Sequence, residues 1–448
     1  MTVIAEEQAT EHIHGICLKN GPPRRVGVEL EWLVRDARDP ALPVPAERIA
    51  AAVAAFGAGS ETEVGLPTSQ SPGVLPSGAL LTTEPGGQLE LSSLPADSLP
   101  ECVRATAADM AALRAAAADG GLELAGIGLD PFRPPRRVLD LPRYTAMEAF
   151  FDRDGPWGRQ MMCSTASVQV CLDAGGDGDD HAGYRWRWRL LHAIGPVLVA
   201  AFANSPLRAG RPAGWRSCRQ QVWAHMDPGR TRPPALTRDG DLPTAWADYA
   251  LDARVMCVRS NGSGDWSAPP GLRLRDWVRG ESPSAPRAPT TEDVTYHLST
   301  LFPPVRPRGH FELRMIDAQQ GDGWVVPVAV VSALLSDERA GDAAMAAAGG
   351  LWRRSWHGAG HSGDGHSGDG DGRWDGGWDD DDPWRRAARL GPADPRIARA
   401  SRECFEAARA ALARQDTPDA ITSAVDDFIE RYVSKDRCPA DDLLEELR

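Results

Sequence analysis

The sequence predicts an α+β protein built on a mostly antiparallel sheet, with helices against one face and a cleft on the other. Polar and apolar residues alternate in three segments: GVELEWLVRD from Gly27, LLTTEPGGQLELSSL within 79–94, and HFELRMID at 310–317. A strand points successive side chains to opposite faces, so the polar residues of each segment share one face. Alanine-rich and aliphatic stretches, such as 99–120 and 184–203, are long enough to supply the helices.

Hydrophobic periodicity and turn residues assign the remaining elements in chain order. The expected strands start at Gly27 and lie within 79–94, 122–129, 160–173 and 310–317. The expected helices cover 46–56, 99–120, 184–203, 325–335, 395–414 and 417–433, with loops at 57–78 and through most of 204–290.

Four parts are expected along the chain. Residues 1–23 form an N-terminal arm or helix, and 24–356 form the catalytic domain. Residues 357–382 carry a repeated HSGDG and almost no aliphatic side chains, so they cannot build a core and are expected to be a disordered insertion. Residues 383–448 are expected to form helices that pack on the catalytic domain.

Bulk composition limits the classes of partner. The chain has 448 residues, is 42% hydrophobic and carries a formal net charge of −14, which argues against nucleic acid and anionic membranes as partners. The N-terminus shows no secretory signal pattern and no apolar run is long enough to span a bilayer, so a cytoplasmic protein is expected. The eight cysteines include no CxxC pair, so free thiols are expected.

Paired polar residues on the predicted strands carry the chemical signal. Each of the three segments places such a pair at positions i and i+2, and together they supply four or five carboxylates with one arginine. A solvated strand face would explain any single pair. Three pairs on one sheet favour a site for a hard divalent cation and a phosphorylated ligand. The pairs are Glu29 with Glu31, Gln88 with Glu90, and Glu312 with Arg314.

Common catalytic motifs are missing from the sequence. It contains no GxxxxGK[ST] phosphate loop, no GxGxxG after a strand, and no GxSxG or HExxH. The Gly86-Gly87 turn within EPGGQ either brings backbone close to a ligand or forms a simple tight turn.

Taken in order, several stretches resemble the glutamate–cysteine ligase family of the carboxylate–amine ligases, which has a glutamine-synthetase-like fold. They are GVELEWL, TTEPGGQLELSS, RYTAMEAFF, MMCSTASVQVCLD, AFANSP, DPGRT, WADYALD and HLSTLFPPVRPRGHFELRMIDAQ. The chain looks like the actinobacterial branch, which makes γ-glutamylcysteine for ergothioneine biosynthesis. The resemblance implies a curved, mostly antiparallel six-stranded sheet that forms an active-site funnel backed by helices.

The resemblance also implies roles for particular residues. It implies that Arg314 meets the transferred phosphoryl group as the catalytic residue. Gln88 and Gln169 match polar positions that line the nucleotide–glutamate cleft, and Thr165 is a further expected substrate- or ATP-binding residue. Carboxylates at five positions would hold Mg²⁺ or Mn²⁺: Glu29, Glu31, Glu84, Glu90 and Glu312. Weaker substrate-binding candidates, for which scaffold packing is the alternative, are Arg219, Trp223, Arg230 and Tyr249.

The implied reaction is the ATP-dependent joining of L-glutamate to L-cysteine through γ-glutamyl phosphate. The expected partners are ATP, L-glutamate and L-cysteine, bound by a monomer or a homodimer. Two alternatives remain at this stage. One is a ligase of the same fold that uses another amine acceptor, and the other is a non-catalytic metabolite-binding member of the fold.

Overall fold

The computed structural model describes residues 4–19, 21, 23–57, 66–234, 241–260, 264–352 and 381–447. Ten strands lie in this part of the chain: β1 (Val26–Asp36), β2 (Gly73–Val74), β3 (Leu80–Thr83), β4 (Leu89–Ser92), β5 (Leu122–Ala125), β6 (Ser167–Asp173), β7 (Leu207–Arg208), β8 (Arg211–Pro212), β9 (Val305–Pro307) and β10 (His310–Asp317).

Eight of these strands form one open sheet in the order β2-β3-β4-β1-β6-β10-β9, with β5 pairing to the end of β1. Every pairing between these strands is antiparallel. The predicted α+β class with a mostly antiparallel sheet is therefore confirmed. The sheet has eight strands where the resemblance implied six, since it includes the two-residue β2 at one edge and β5 beside the path. Strands β7 and β8 form a separate short hairpin.

Helices surround the sheet. In the described ranges they are α1 (Glu6–Cys17), α2 (Ala46–Val53), α3 (Leu99–Asp119), α4 (Pro142–Phe151), α5 (Trp157–Ser164), α6 (Tyr184–Ala201), α7 (Cys218–Ala224), α8 (Pro228–Thr231), α9 (Leu242–Asp252), α10 (Leu274–Arg279), α11 (Thr291–Leu298), α12 (Val325–Ser336), α13 (Glu338–Trp352), α14 (Pro383–Leu390), α15 (Pro395–Arg414), α16 (Asp419–Arg431) and α17 (Pro439–Glu445).

The apolar face of the sheet packs against α3, α6 and α12. Alternation in the strands explains this layering, because Val28, Leu30 and Trp32 of β1 are buried while the glutamates between them are only partly buried. Helix α12 is buried along nearly its whole length, as its aliphatic sequence requires. None of the helices in the described ranges is long and apolar enough to cross a membrane.

Three element predictions were wrong in detail. The first half of the predicted strand 160–173 is helical, because α5 continues to Ser164 and only Ser167–Asp173 pairs in the sheet. The predicted strand within 79–94 is a hairpin of β3 and β4 with a turn at 84–88. The segment 204–290, expected to be mostly loop, includes helices α7 to α10.

Both chain ends pack against the rest of the protein. In the predicted N-terminal arm, α1 buries Ala9 and Ile13 and contacts α9, α10 and α11. Helices α14, α15 and α16 form a second layer on α6, α12 and α13. The predicted insertion 357–382 lies outside the described residues except for its last two positions, of which Asp382 caps α14.

Candidate active site

The strand register places the predicted carboxylates on one face of the sheet. Glu31 of β1 is paired with Glu90 of β4, and Glu29 lies opposite Gln169 of β6. Thr82 of β3 is also paired with Glu90. Directly paired residues in antiparallel strands project to the same side, so these side chains share one cavity of about 640 Å³. The predicted residues that line it are Glu29, Glu31, Glu84, Gln88, Glu90, Thr165, Gln169, Arg219, Trp223 and Arg314.

Glu29, Glu31, Glu84 and Glu90 form an acidic wall in this cavity. Burial and repulsion from neighbouring carboxylates raise the pKa of Glu29 and of Glu84 to about 7. The same causes raise the pKa of Glu90 well above its ordinary range. The wall therefore concentrates carboxylates whose charge the protein itself does not compensate.

Hydrogen bonds orient two members of the wall. Glu31 accepts from Ser167 Oγ at 2.9 Å and from Gln169 Nε2 at 3.0 Å. Glu90 accepts from Thr82 Oγ1 at 3.1 Å. The donors are all on strands of the same sheet, so the sheet fixes the orientation of these carboxylates.

Beside the wall lies an arginine cluster, formed by Arg306, Arg308 and Arg314. All three guanidinium groups reach Glu312, which is fully buried. Burial acts to raise the pKa of Glu312, but the three arginines outweigh it and hold that pKa well below its usual range. Arg314 also donates to Gln169 Oε1 at 2.5 Å. The predicted ligand Glu312 thus lies behind the cavity lining with its oxygens bound by arginines, and its metal-binding role stays a prediction.

A β-bulge in β10 presents Arg314 to the cavity. The register with β6 shifts between positions 313 and 316. The carbonyl oxygen of Arg314 accepts from Arg219 Nη2 at 2.7 Å, and that of Met315 accepts from Gln220 Nε2 at 2.8 Å. A bulge re-aims the side chain next to it, and here α7 satisfies the carbonyl groups that the bulge leaves free.

A buried hydrogen-bond network holds α7 against the end of β10. The carboxylate of Asp317 accepts from Asn204 N at 2.9 Å, Ser205 Oγ at 2.7 Å and Ser217 Oγ at 2.9 Å. Arg219 N in turn donates to Ser205 Oγ at 3.1 Å. The AFANSP stretch therefore supports the site from behind and does not line the cavity.

The turn that carries Glu84 rests on the end of α5. A Cβ at Gly86 would lie 2.2 Å from the carbonyl oxygen of Cys163, so the close approach of this glycine is to backbone. Gln88 Oε1 accepts from Gly86 N at 3.0 Å, and its Nε2 donates to Thr165 O at 2.9 Å. Thr165 Oγ1 donates to Met161 O at 2.7 Å. Gln88 and Thr165 line the cavity, yet these hydrogen bonds hold the turn and the end of α5 in place and do not point to a ligand.

Two predicted substrate-binding residues do not line the cavity. Arg230 is fully buried, and its Nε lies 3.5 Å from Asp227 Oδ2. Tyr249 stacks on Trp246 with ring centroids 5.4 Å apart. Their distance from the lining follows from this packing, and their binding roles stay predictions. Trp223 does line the cavity, as predicted.

The cavity lining also includes residues that sequence reasoning missed. Arg143 of α4 and Arg259 both lie over the ring of Tyr296, at 5.2 and 4.9 Å from its centroid. All three line the cavity, as do Arg306 and Arg308 of the cluster. All five residues lie outside the paired positions on the predicted strands: they lie on helices, in loops and on the short β9. The stretches RYTAMEAFF and HLSTLFPPVR already contained Arg143 and Arg306.

The acidic wall has the donor chemistry for a divalent cation. Carboxylate oxygens are the ligands that Mg²⁺ prefers, and a bound cation would relieve the repulsion that raises their pKa values. Among the residues that the structure describes, no three His, Cys, Asp or Glu side chains lie close enough together to form a preassembled metal cluster. The wall therefore fits a cation by donor type and charge, without a closed cage.

Comparison with known proteins identifies the family. The model of Glutamate-cysteine ligase family 2 (GCS2) matches residues 25–354. The chain belongs to this family. Glutamate–cysteine ligase EgtA of Mycobacterium tuberculosis is 37% identical over 438 residues, covering 97% of this chain and 88% of the relative. EgtA of Mycolicibacterium smegmatis is 36% identical over 442 residues, covering 97% and 90%.

A solved structure supports the fold assignment. Glutamate–cysteine ligase from Francisella tularensis in complex with AMP superposes with a TM-score of 0.51 at 10% sequence identity, covering 95% of this chain and 85% of that one. This similarity concerns the fold alone. The span matched by glutamate–cysteine ligase family 2 includes the acidic wall and the arginine cluster, and it ends before α14.

Proposed function

We propose that the protein is an ATP-dependent glutamate–cysteine ligase that forms γ-glutamylcysteine, ADP and phosphate. The observation that carries this proposal is the cavity of about 640 Å³ in which the acidic wall and the arginine cluster meet on one sheet. Membership of glutamate–cysteine ligase family 2 supports the choice of glutamate and cysteine as substrates. The branch that the chain resembles supports a role of the product in ergothioneine biosynthesis, and a cytoplasmic location is part of the proposal because the reaction needs ATP.

The reaction requires two substitutions. A γ-carboxylate oxygen of glutamate attacks the γ-phosphorus of ATP, the bond to the β-phosphate oxygen breaks, and ADP leaves. The amine of cysteine then attacks the acyl carbon, phosphate leaves, and the nitrogen loses a proton as the amide forms. Neither substitution needs a nucleophilic side chain, in agreement with a cavity whose described chemistry is carboxylates and arginines.

The residues of the chain orient the reactants and balance charge. Arg314 offers planar donors to oxygens of the transferred phosphoryl group, and its orientation is fixed by Glu312 and Gln169. The acidic wall would hold Mg²⁺ or Mn²⁺, which when bound offsets the negative charge of the triphosphate. Arg143 and Arg259, which also line the cavity, offer positive charge to a substrate carboxylate.

The test is product identification with purified protein. Phosphate release is measured with ATP, Mg²⁺, L-glutamate and, separately, L-cysteine, L-serine, glycine or ammonium, and the product is identified by mass spectrometry. We expect γ-glutamylcysteine and the highest kcat/KM with cysteine. A preference for another amine would assign a different ligase of the same fold. Absence of turnover with every amine would indicate a non-catalytic member.

A further inference from the structure

A second cavity, of about 420 Å³, lies apart from the proposed active site. It is located where the segment before β1 and the end of β6 meet the start of α3, helices α6 and α12, and the α15–α16 connection. Its volume is within the range of small-molecule sites, roughly 300–1,000 Å³. It shares no lining residue with the first cavity. Nothing in the proposed ligase reaction uses it.

Positive charge dominates the lining of this second cavity. Arg24 and Arg25 enter from the segment before β1, and Arg187 enters from α6. Glu338 is the carboxylate among the lining residues. His181 also lines the cavity, with its Nε2 at 2.8 Å from Asp342. The lining contains three guanidinium groups and one carboxylate, and the exposed Asp97 pairs with Arg25 at 3.7 Å, which still leaves an excess of positive charge in a concave site.

Arg187 gives the clearest indication that this cavity suits an anion. The residue is only 4% exposed, and its one hydrogen bond within the described structure runs from Nη1 to Leu335 O at 2.9 Å. Its Nε has no partner there. The nearest carboxylate to influence it is Asp173, which is too distant for an ion pair and accepts from the backbone of Arg24 and Arg25. Burial without a paired carboxylate lowers the pKa of Arg187 to about 10.

A second buried polar group points to the same conclusion. Ser332 of α12 lines the cavity, is 6% exposed, and its hydroxyl has no hydrogen-bond partner among the described residues. Buried polar groups are nearly always satisfied, so an unpaired hydroxyl and an unpaired guanidinium Nε in the lining of one cavity mark a place for an acceptor. The N-terminus of the 21-residue α3, at Leu99 and Pro100, also lines the cavity and favours negative charge.

We propose that this cavity is a binding site for a small oxyanion, a carboxylate or phosphate compound, held by Arg187 and Ser332 with Arg24 and Arg25 at the entrance. This site is separate from the proposed active site, but it contacts two strands, β1 and β6, that hold active-site residues. Val26 and Leu172 line the cavity, and they lie three residues from Glu29 and Gln169 on β1 and β6. The bound anion therefore contacts the ends of two active-site strands.

Calorimetric titration of the full chain tests the site, with inorganic phosphate and citrate as separate probes and no ATP present. The Arg314→Ala variant removes the proposed phosphoryl contact of the first cavity. We expect it to retain binding of at least one probe. The Arg187→Met variant should weaken that binding at least tenfold, because the buried guanidinium is lost. Arg189→Met is the matched control, since Arg189 lies on the same helix but is exposed, and it should bind as the wild type does.

Because Arg187→Met changes a buried side chain and could impair folding, a double variant of exposed residues provides a second test. Arg24→Ser with Arg25→Ser changes two exposed side chains at the entrance and should weaken binding severalfold without altering the thermal unfolding temperature. Phosphate binding alone, citrate binding alone, or both would each support the site and would distinguish the two chemistries. Lack of binding by both probes at millimolar concentration would overturn it. Equal affinity in the wild type, Arg187→Met and the double variant would also overturn it.

Discussion

The acidic wall and the arginine cluster lie on one face of the same sheet, yet their carboxylates differ in charge balance. Glu29 on β1 has its pKa raised to about 7 by burial and by Glu312. Glu312 on β10 is more deeply buried, but three arginines lower its pKa. The same residue type thus titrates in opposite directions within one site. The difference shows that the protein supplies counter-charge on one side of the cavity and leaves it to ligands on the other.

Neutralising Glu312 is expected to have the largest effect. Glu312→Gln leaves Arg306, Arg308 and Arg314 buried or half-buried around a neutral amide, and breaking a buried pair in this way costs roughly 3–5 kcal/mol. Denaturant unfolding measures the loss. Glu148→Gln is the matched control, because Glu148 also contacts two arginines but is partly exposed, and it should cost less than about 1 kcal/mol. Equal losses in the two variants would contradict the comparison.

Removing Arg314 is expected to affect catalysis more than stability. Arg314→Ala should lower kcat by at least about a hundredfold, which is typical when a donor to developing charge is lost. Phosphate-release kinetics measure the effect, and circular dichroism checks the fold. Arg308→Ala serves as the control within the cluster, since its contact with Glu312 is 3.5 Å long and its side chain is half exposed, and a loss under tenfold is expected. Near-normal turnover of Arg314→Ala would exclude its role with the phosphoryl group.

Neutralising Glu29 is expected to have the smallest effect, and it should stabilise the folded protein where neutralising Glu312 destabilises it. Because the pKa of Glu29 is raised from 4.5 to about 7, the folded protein retains a proton that the unfolded chain releases, so stability falls as pH rises across this interval. With chelator present at pH 8, Glu29→Gln should stabilise the protein, by at most about 3 kcal/mol.

Thermal unfolding with and without chelator measures this change. The exposed Glu123 on β5 supplies the control Glu123→Gln, which should leave stability unchanged. Destabilisation by Glu29→Gln in chelator would show that the carboxylate is already compensated within the protein.

The alternation of residues along single strands predicted the acidic wall better than the arginine cluster. Glu29 and Glu31 share a face because strand periodicity is a local property, and the structure keeps that face. The pairing of Glu312 with Arg306 depends on a register between β9 and β10, which a single strand does not encode. Arg143 reaches the cavity from a helix, so it carries no strand signal.

Other differences also arise from tertiary context. Gln88 was grouped with Glu90 by spacing, but it ends a turn whose shape depends on contact with Thr165. The residues MMCS were read as strand because of their composition, whereas they complete helix α5. Arg230 was expected near substrate, but its guanidinium is held in the interior by Thr300 and by the carbonyl of Arg254, which are far away in sequence.

The position of α7 has a consequence for any attempt to shorten the chain. Arg219 of this helix donates to the carbonyl of Arg314 in the bulge. The segment that leads into the helix is bound to α14, because the amides of Arg216 and Ser217 donate to Ala388 O at 3.0 and 2.9 Å. Arg216 also pairs with Asp441 of α17 at 2.8 Å. The C-terminal helices thus stabilise the position of α7 and, through it, the orientation of Arg314. A protein truncated before α14 would keep the residues matched by the family model but lose these contacts.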